Sequence, residues 1–207
     1  MDWKAQLQGR NIALESDGGE RMQIALDEGG RYRLILPDLA ALRSVVESLE
    51  ALPGVGVLPG NGGMLGAKTV GENFSLALHF GRGPSGEGIA ADDEEVRFGL
   101  SLVGFSAERI AQIGREQPMN ISRPERWRLG LARCLLVAPD LLVLDRAFAG
   151  LSRREAGALV DSSMAYHSVH PFRPVLFVDL DSHELPAIGD CRAALHVAEA
   201  MEETCPS

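Results

Sequence analysis

Asp145 closes the apolar run Leu141-Leu142-Val143-Leu144, and a carboxylate at the end of a buried strand has two uses. It can hold a divalent cation such as magnesium, or it can cap the loop that follows. Gly62-Gly63-Met64-Leu65-Gly66-Ala67-Lys68-Thr69 has the spacing of a phosphate-wrapping loop, with its last glycine changed to alanine. Such loops need successive backbone N–H groups at a helix N-terminus, glycines that let the chain wrap the anion, and a lysine for the outer phosphates. Ser122-Arg123-Pro124-Glu125 is an S-x-x-E capping box, with Pro124 in a first turn where its missing N–H costs little. His167, His170 and His183 have neither a paired nucleophile nor metal-ligand spacing, so a hydrolase or transferase built on them is an alternative without a motif. Cys134, Cys191 and Cys205 are too few and too scattered for a disulfide framework or a zinc site, which favours a reducing compartment.

Those residues need elements to hold them. Three short apolar stretches, Asn11–Leu14, Met22–Leu26 and Tyr32–Leu36, are separated by Asp-Gly-Gly and Glu-Gly-Gly and read as three strands joined by turns. Helical spacing of Leu39, Leu42, Val45, Val46 and Leu49 predicts a helix that ends before Pro53-Gly54. A Gly-rich strand and loop follow, then an apolar segment from Phe74 to Phe80. Helical pieces are expected at Val96–Val103 and Ala107–Ile113, a longer helix from Ser122 to about Val137, and another from Arg153 to His167. Leu141–Asp145 and Pro174–Leu180 read as buried strands, followed by a helix near 182–190 and a last strand, Ala193–Val197. Buried strands alternating with helices mean a parallel sheet in an α/β domain. With 207 residues the chain suits one domain, expected over 1–198 with a helical subregion at about 84–135 and a tail at 199–207. Twenty basic residues against twenty-nine acidic give a net charge of −9, which argues against a nucleic-acid partner. No apolar run has the length of a membrane span, and the N-terminus does not read as a signal peptide.

The stretch Asn120–Ser152 resembles the signature-helix, Walker B and D-loop block of ATP-binding cassette (ABC) ATPases. Arg128, Leu131, Ala132, Arg133 and Leu135 fall in register, as do Pro139, Asp145, Phe148, Gly150 and Leu151. Thr69–Leu76 is similar to the T-V-x-E-N-V-x-L segment after the Q-loop, as found in lipid-transporting, Mla-type systems. Ile188-Gly189-Asp190 matches the I-A-D after the switch histidine. The resemblance implies a P-loop-type α/β core with an N-terminal antiparallel strand portion.

The resemblance also points to departures. Its phosphate loop belongs at Leu36–Val45, where Arg43 and Ser44 take the lysine and magnesium-hydroxyl positions, no glycine remains, and Asp38 adds negative charge. A planar guanidinium is no equivalent of a compact ammonium. The base glutamate after Asp145 is Arg146, which cannot accept a proton. The Q-loop glutamine is Gly60. The switch histidine is Leu180 in an ungapped register, or His183 with a small gap. The signature glycines are Arg123 and Pro124, and the D-loop aspartate is Ser152. Only 17 residues separate Arg43 from Gly60, so the chain is shortened between the Walker A and Q-loop positions.

The implied function is therefore a pseudo-ATPase subunit of a lipid-transporting ABC complex. It would require no cofactor of its own, with ATP and magnesium at most weakly held through Arg43, Ser44, Asp145 and Ser122. It would pair with a motif-complete ATPase, dock on a membrane permease at the cytoplasmic face, and form a hetero-oligomer. Ser122 and Glu125 would face the partner's nucleotide, with Arg123 lending charge to its phosphates. An alternative keeps weak ATP binding or hydrolysis.

Overall fold

A computed structural model describes residues 3–81, 93–180, 186–188 and 190–197. Period-two alternation builds an antiparallel sheet of β1 (Trp3–Gln8), β2 (Asn11–Ser16) and β3 (Arg21–Ala25), in the order β1-β2-β3. The expected turn at Asp17-Gly18-Gly19 does join two strands, with Gly19 at a φ of 83°. The third expected partner does not follow. Residues Arg31–Leu36 form β4, whose six residues are all buried, and it pairs in a different sheet. A strand covered on both faces belongs inside a parallel sheet. In its place stands β1, marked in the sequence by the alternation of Trp3, Ala5 and Leu7.

The parallel sheet adds β5 (Val55–Pro59), β6 (Leu141–Asp145), β7 (Val175–Leu180) and β8 (Cys191–His196), in the order β5-β6-β7-β4-β8. Leu141, Val143, Leu176 and Val178 face a core shared with the antiparallel sheet and α1 (Leu39–Glu50). Leu142, Leu144, Val175 and Phe177 face a second core shared with α2 (Val70–Gly81), α3 (Asp93–Leu102), α4 (Ala107–Ile113), α5 (Arg123–Val137) and α6 (Arg153–Val169). Covering on both faces is why β6 and β7 read as unbroken apolar runs. The apolar segment Phe74–Phe80 lies within α2. The helix expected near 182–190 falls largely outside the described residues, as does the tail from 199.

The helix α1 sits between the two sheets, and two serines tie it to β1. Ser44 Oγ accepts from Trp3 N (2.6 Å) and donates to Trp3 O (2.9 Å), while Ser48 Oγ accepts from Ala5 N (2.6 Å). Four helical residues rise about 6 Å and two strand residues about 6.6 Å, so the i, i+4 hydroxyls match alternate strand residues. Replacing both serines by alanine leaves half-buried backbone groups unpaired, and about 1–3 kcal/mol per site should be lost in urea melts. A double variant within 0.5 kcal/mol of the native chain, to the ~10% accuracy of such melts, would remove the tie from the account.

In this order β4 lies between β7 and β8, while the chain leaving β4 runs through α1 to β5 at the far edge. A reversal of this kind opens a crevice at the carboxyl ends of the strands. The ends of β4, β6 and β7 are therefore where a ligand site belongs.

Candidate functional site

The turn from β4 to α1 consists of Pro37 and Asp38 alone. Asp38 is the N-cap of α1, its Oδ1 accepting from Ala41 N at 2.8 Å. Two residues cannot present the row of N–H groups that wraps a triphosphate, and a carboxylate already sits at the positive end of the helix. The turn does not fit a phosphate chain wrapped by this subunit. Arg43 lies in the second helical turn, exposed to solvent, one turn past the helix start. Ser44 is engaged on both sides by Trp3, so the structure does not bring the two together as a phosphate and magnesium pair. Leu180 ends β7 opposite Leu36, half-buried against the α1-side core. His183 lies outside the described residues.

Beside the ends of β4, β6 and β7 is a charged layer whose pairings the sequence analysis did not bring together. Asp145 takes Arg146 Nε at 2.9 Å, with the aspartate side chain only 9% exposed. Asp179, one strand over on β7, lies 3.3 Å from Arg33 Nε on β4, a contact not aligned as a hydrogen bond. Arg33 also donates to Pro186 O at 3.0 Å and lies over the Phe148 ring at 5.7 Å. Burial pushes the Asp179 carboxyl up to about 6, opposed by Arg33 and helped by the charge of Asp145. A sequence signal did exist: arginine and aspartate inside apolar strands, in Arg31–Leu36 and Val175–Leu180.

Gly60 lies under Arg146. A Cβ on Gly60 would stand 2.4 Å from Arg146 O and 3.1 Å from its carbon, so the backbone approach itself demands glycine there. This accounts for the residue at the Q-loop position without any reference to chemistry.

The start of α5 is a network. Ser122 is the N-cap, accepting from Glu125 N, and its hydroxyl donates to Glu125 Oε2 at 2.9 Å. The other oxygen of Glu125 takes Arg109 Nε at 2.9 Å, and Arg109 also grips Glu116. Arg109 and Ser122 hold the Glu125 carboxyl below its usual value against its partial burial, so it is charged. Arg123 turns back to its own chain, Nε donating to Gly60 O at 3.3 Å. Ser152 forms a full capping box with Glu155 at the start of α6. Among the described residues no three His, Cys, Asp or Glu side chains gather as a metal-holding group, and no helix is long and apolar enough to cross a membrane.

Comparison with known proteins places this arrangement. The structure of cbiO1 from Clostridium perfringens, part of the ABC transporter complex cbiONQ, superposes with a TM-score of 0.61 at 11% identity, over 87% of this chain and 80% of that one. A putative metal-chelate type ABC transporter in an inward-facing conformation gives 0.61 at 12% identity, over 86% and 73%. At such identities the likeness is one of fold. No family model matches the chain. In sequence, the methionine import ATP-binding protein MetN 2 of Paraburkholderia xenovorans is 33% identical over 145 residues, which is 69% of this chain and 34% of that protein. The glycine betaine/proline betaine transport system ATP-binding protein ProV of Escherichia coli is 29% identical over 126 residues, 55% of this chain and 31% of that protein. The chain belongs to the ABC transporter ATPase family. It is an α/β ABC fold with a parallel sheet and a smaller antiparallel one. The matched stretch spans about a third of the length of these ABC relatives. Membership corrects one expectation: the relatives are ATP-binding proteins by name, so an ABC subunit with no cofactor requirement is not what the comparison supports, and ATP is the family's cofactor. That finding and the two-residue turn are compatible if the nucleotide meets this chain somewhere other than the β4–α1 junction.

Proposed function

We propose that the chain is an ABC-type subunit that takes part in ATP binding without hydrolysing ATP itself, paired with a motif-complete ATPase and docked on a membrane permease at the cytoplasmic face. The nucleotide and its metal are held by the partner's phosphate loop, and the start of α5, with Ser122, faces them. The observation that carries this reading is the contrast between the β4–α1 turn and the start of α5. At β4–α1 the loop is two residues long and capped by Asp38, and the base position is Arg146. At α5 the Ser122 cap is formed and Glu125 is tied to Arg109. Hetero-pairing is favoured because two copies of this chain would bring together two β4–α1 turns that are both too short to wrap a triphosphate.

The lipid class of cargo rests on Thr69–Leu76 alone. Those residues cap and pin: Glu72 accepts from Thr69 N at 2.7 Å, and buried Asn73 bonds Leu65 N at 2.7 Å and Thr69 O at 2.9 Å. Local structure thus explains the motif, and the relatives above are named for methionine and betaines, so the proposal is carried by the pairing role and not by a cargo.

The test is ATP turnover by the purified chain. Phosphate release should stay at background, and Arg146→Glu should not raise it, because one restored carboxylate does not rebuild the phosphate loop. Sustained turnover that Asp145→Ala abolishes would overturn the reading. Purified together with its permease and a complete ATPase, the chain should support turnover that falls on Ser122→Ala.

A further inference from the structure

We propose that the Arg146 guanidinium is a built-in cation that occupies the place of a divalent metal ion at Asp145. The inference deepens the reading of a site without hydrolysis, yet it concerns the isolated chain and needs no partner.

The geometry begins with a nearly buried carboxylate at the end of β6, which requires a cation or donors around it. The cation comes from the very next residue. In extended backbone, neighbouring side chains point to opposite faces and cannot meet. Here Arg146 has a φ of 45°, in the left-handed region that non-glycine residues avoid, and its Nε reaches Asp145 Oδ1 at 2.9 Å. The conformation is held from both sides: Arg146 N donates to Val178 O at 2.9 Å, and its carbonyl lies so close to Gly60 that no Cβ fits between. Backbone strain that the surroundings fix in place is a pointer to function. The neighbouring carboxylate, Asp179, has a guanidinium of its own in Arg33 at 3.3 Å. Each acid of this layer is thus matched by an internal cation. A magnesium ion needs a carboxylate oxygen and room for its own waters. A guanidinium bonded to Asp145 Oδ1 takes one of the two carboxylate oxygens and sets a fixed positive charge beside the other, which disfavours a divalent ion there.

The test uses manganese, a paramagnetic stand-in for magnesium, titrated against the chain and followed by the loss of its free-ion resonance. Manganese binding by the native chain should be unchanged by Asp145→Asn. Arg146→Glu, which removes the cation and adds a carboxylate, should tighten binding at least about tenfold, and the double variant with Asp145→Asn should lose the gain. Should Arg146→Glu fail to fold by circular dichroism, Arg146→Ala carries the same expectation of a gain. In the native chain the Arg146 Nε–H signal should not move when millimolar magnesium is added. Saturable manganese binding by the native chain that Asp145→Asn abolishes, a magnesium-induced shift of that signal, or a folded Arg146 variant that gains nothing would each overturn the proposal. None of these outcomes bears on ATP turnover, so the two readings fail separately.

Discussion

Replacing Arg33 by methionine is expected to lower the unfolding free energy by about 3–5 kcal/mol at neutral pH, the usual cost of stranding one member of a buried ion pair. Asp179 would be left 4% exposed, beside Asp145, with no cation. The carboxylate is the liability of the pair. Its folded value is raised to about 6 from an ordinary 3.8, so the protein favours the protonated form. Between those two values the unfolded chain has released a proton that the folded chain keeps, and stability must fall as pH rises through the window. The interval corresponds to about 3 kcal/mol as an upper figure. Two further results follow. The penalty for Arg33→Met should shrink below pH ~5, where Asp179 is neutral in the fold. Asp179→Asn should track the native chain near pH 4 and become the more stable of the two by up to ~2–3 kcal/mol above pH 6, and it should rescue most of the Arg33→Met loss. Urea melts at several pH values decide the matter: a penalty for Arg33→Met that does not vary with pH would remove Asp179 from the explanation.

Restoring the family's glutamine at Gly60 should damage the fold and mend nothing. The collision lies at the first side-chain atom, 2.4 Å from a backbone oxygen, so Gly60→Ala and Gly60→Gln should cost nearly the same, about 3 kcal/mol. Backbone atoms cannot swing aside as the end of a flexible side chain can. Equal losses in chemical denaturation support the close approach. Tolerance of alanine would show that the β5 exit has slack, and that the glycine there answers to something other than Arg146.

The fold was legible where burial follows the sequence directly. Leu141–Asp145 and Val175–Leu180 are apolar throughout because helices and α1 cover both faces, and the spacing of Leu42, Val45, Val46 and Leu49 gave α1 nearly to its ends. The Ser122 cap and Pro124 marked α5 for a local reason, the unpaired N–H groups of a first turn. What escaped were pairings between distant residues. Whether Tyr32–Leu36 adds to a hairpin or enters a parallel sheet depends on β7 and β8, more than 140 residues on, and nothing local distinguishes the two. Arg109 with Glu125 and Arg33 with Asp179 are likewise meetings of chain segments that no spacing announces. The site positions themselves were readable as residue types. The helical spacing from Leu39 already put Arg43 a turn beyond the helix start, but the bonding of Ser44 to Trp3, 41 residues away, left no trace in the sequence.

Those serine bonds have a mechanical consequence. Widening the Pro37-Asp38 turn enough to receive an anion means sliding α1 along its axis, and such a slide breaks the register of its hydroxyls against Trp3 and Ala5. The first strand therefore acts as a splint on the helix behind the turn. Amide proton exchange at Trp3 and Ala5 should consequently rise and fall with any yielding of that helix, giving a readout on the first strand for an event at the turn.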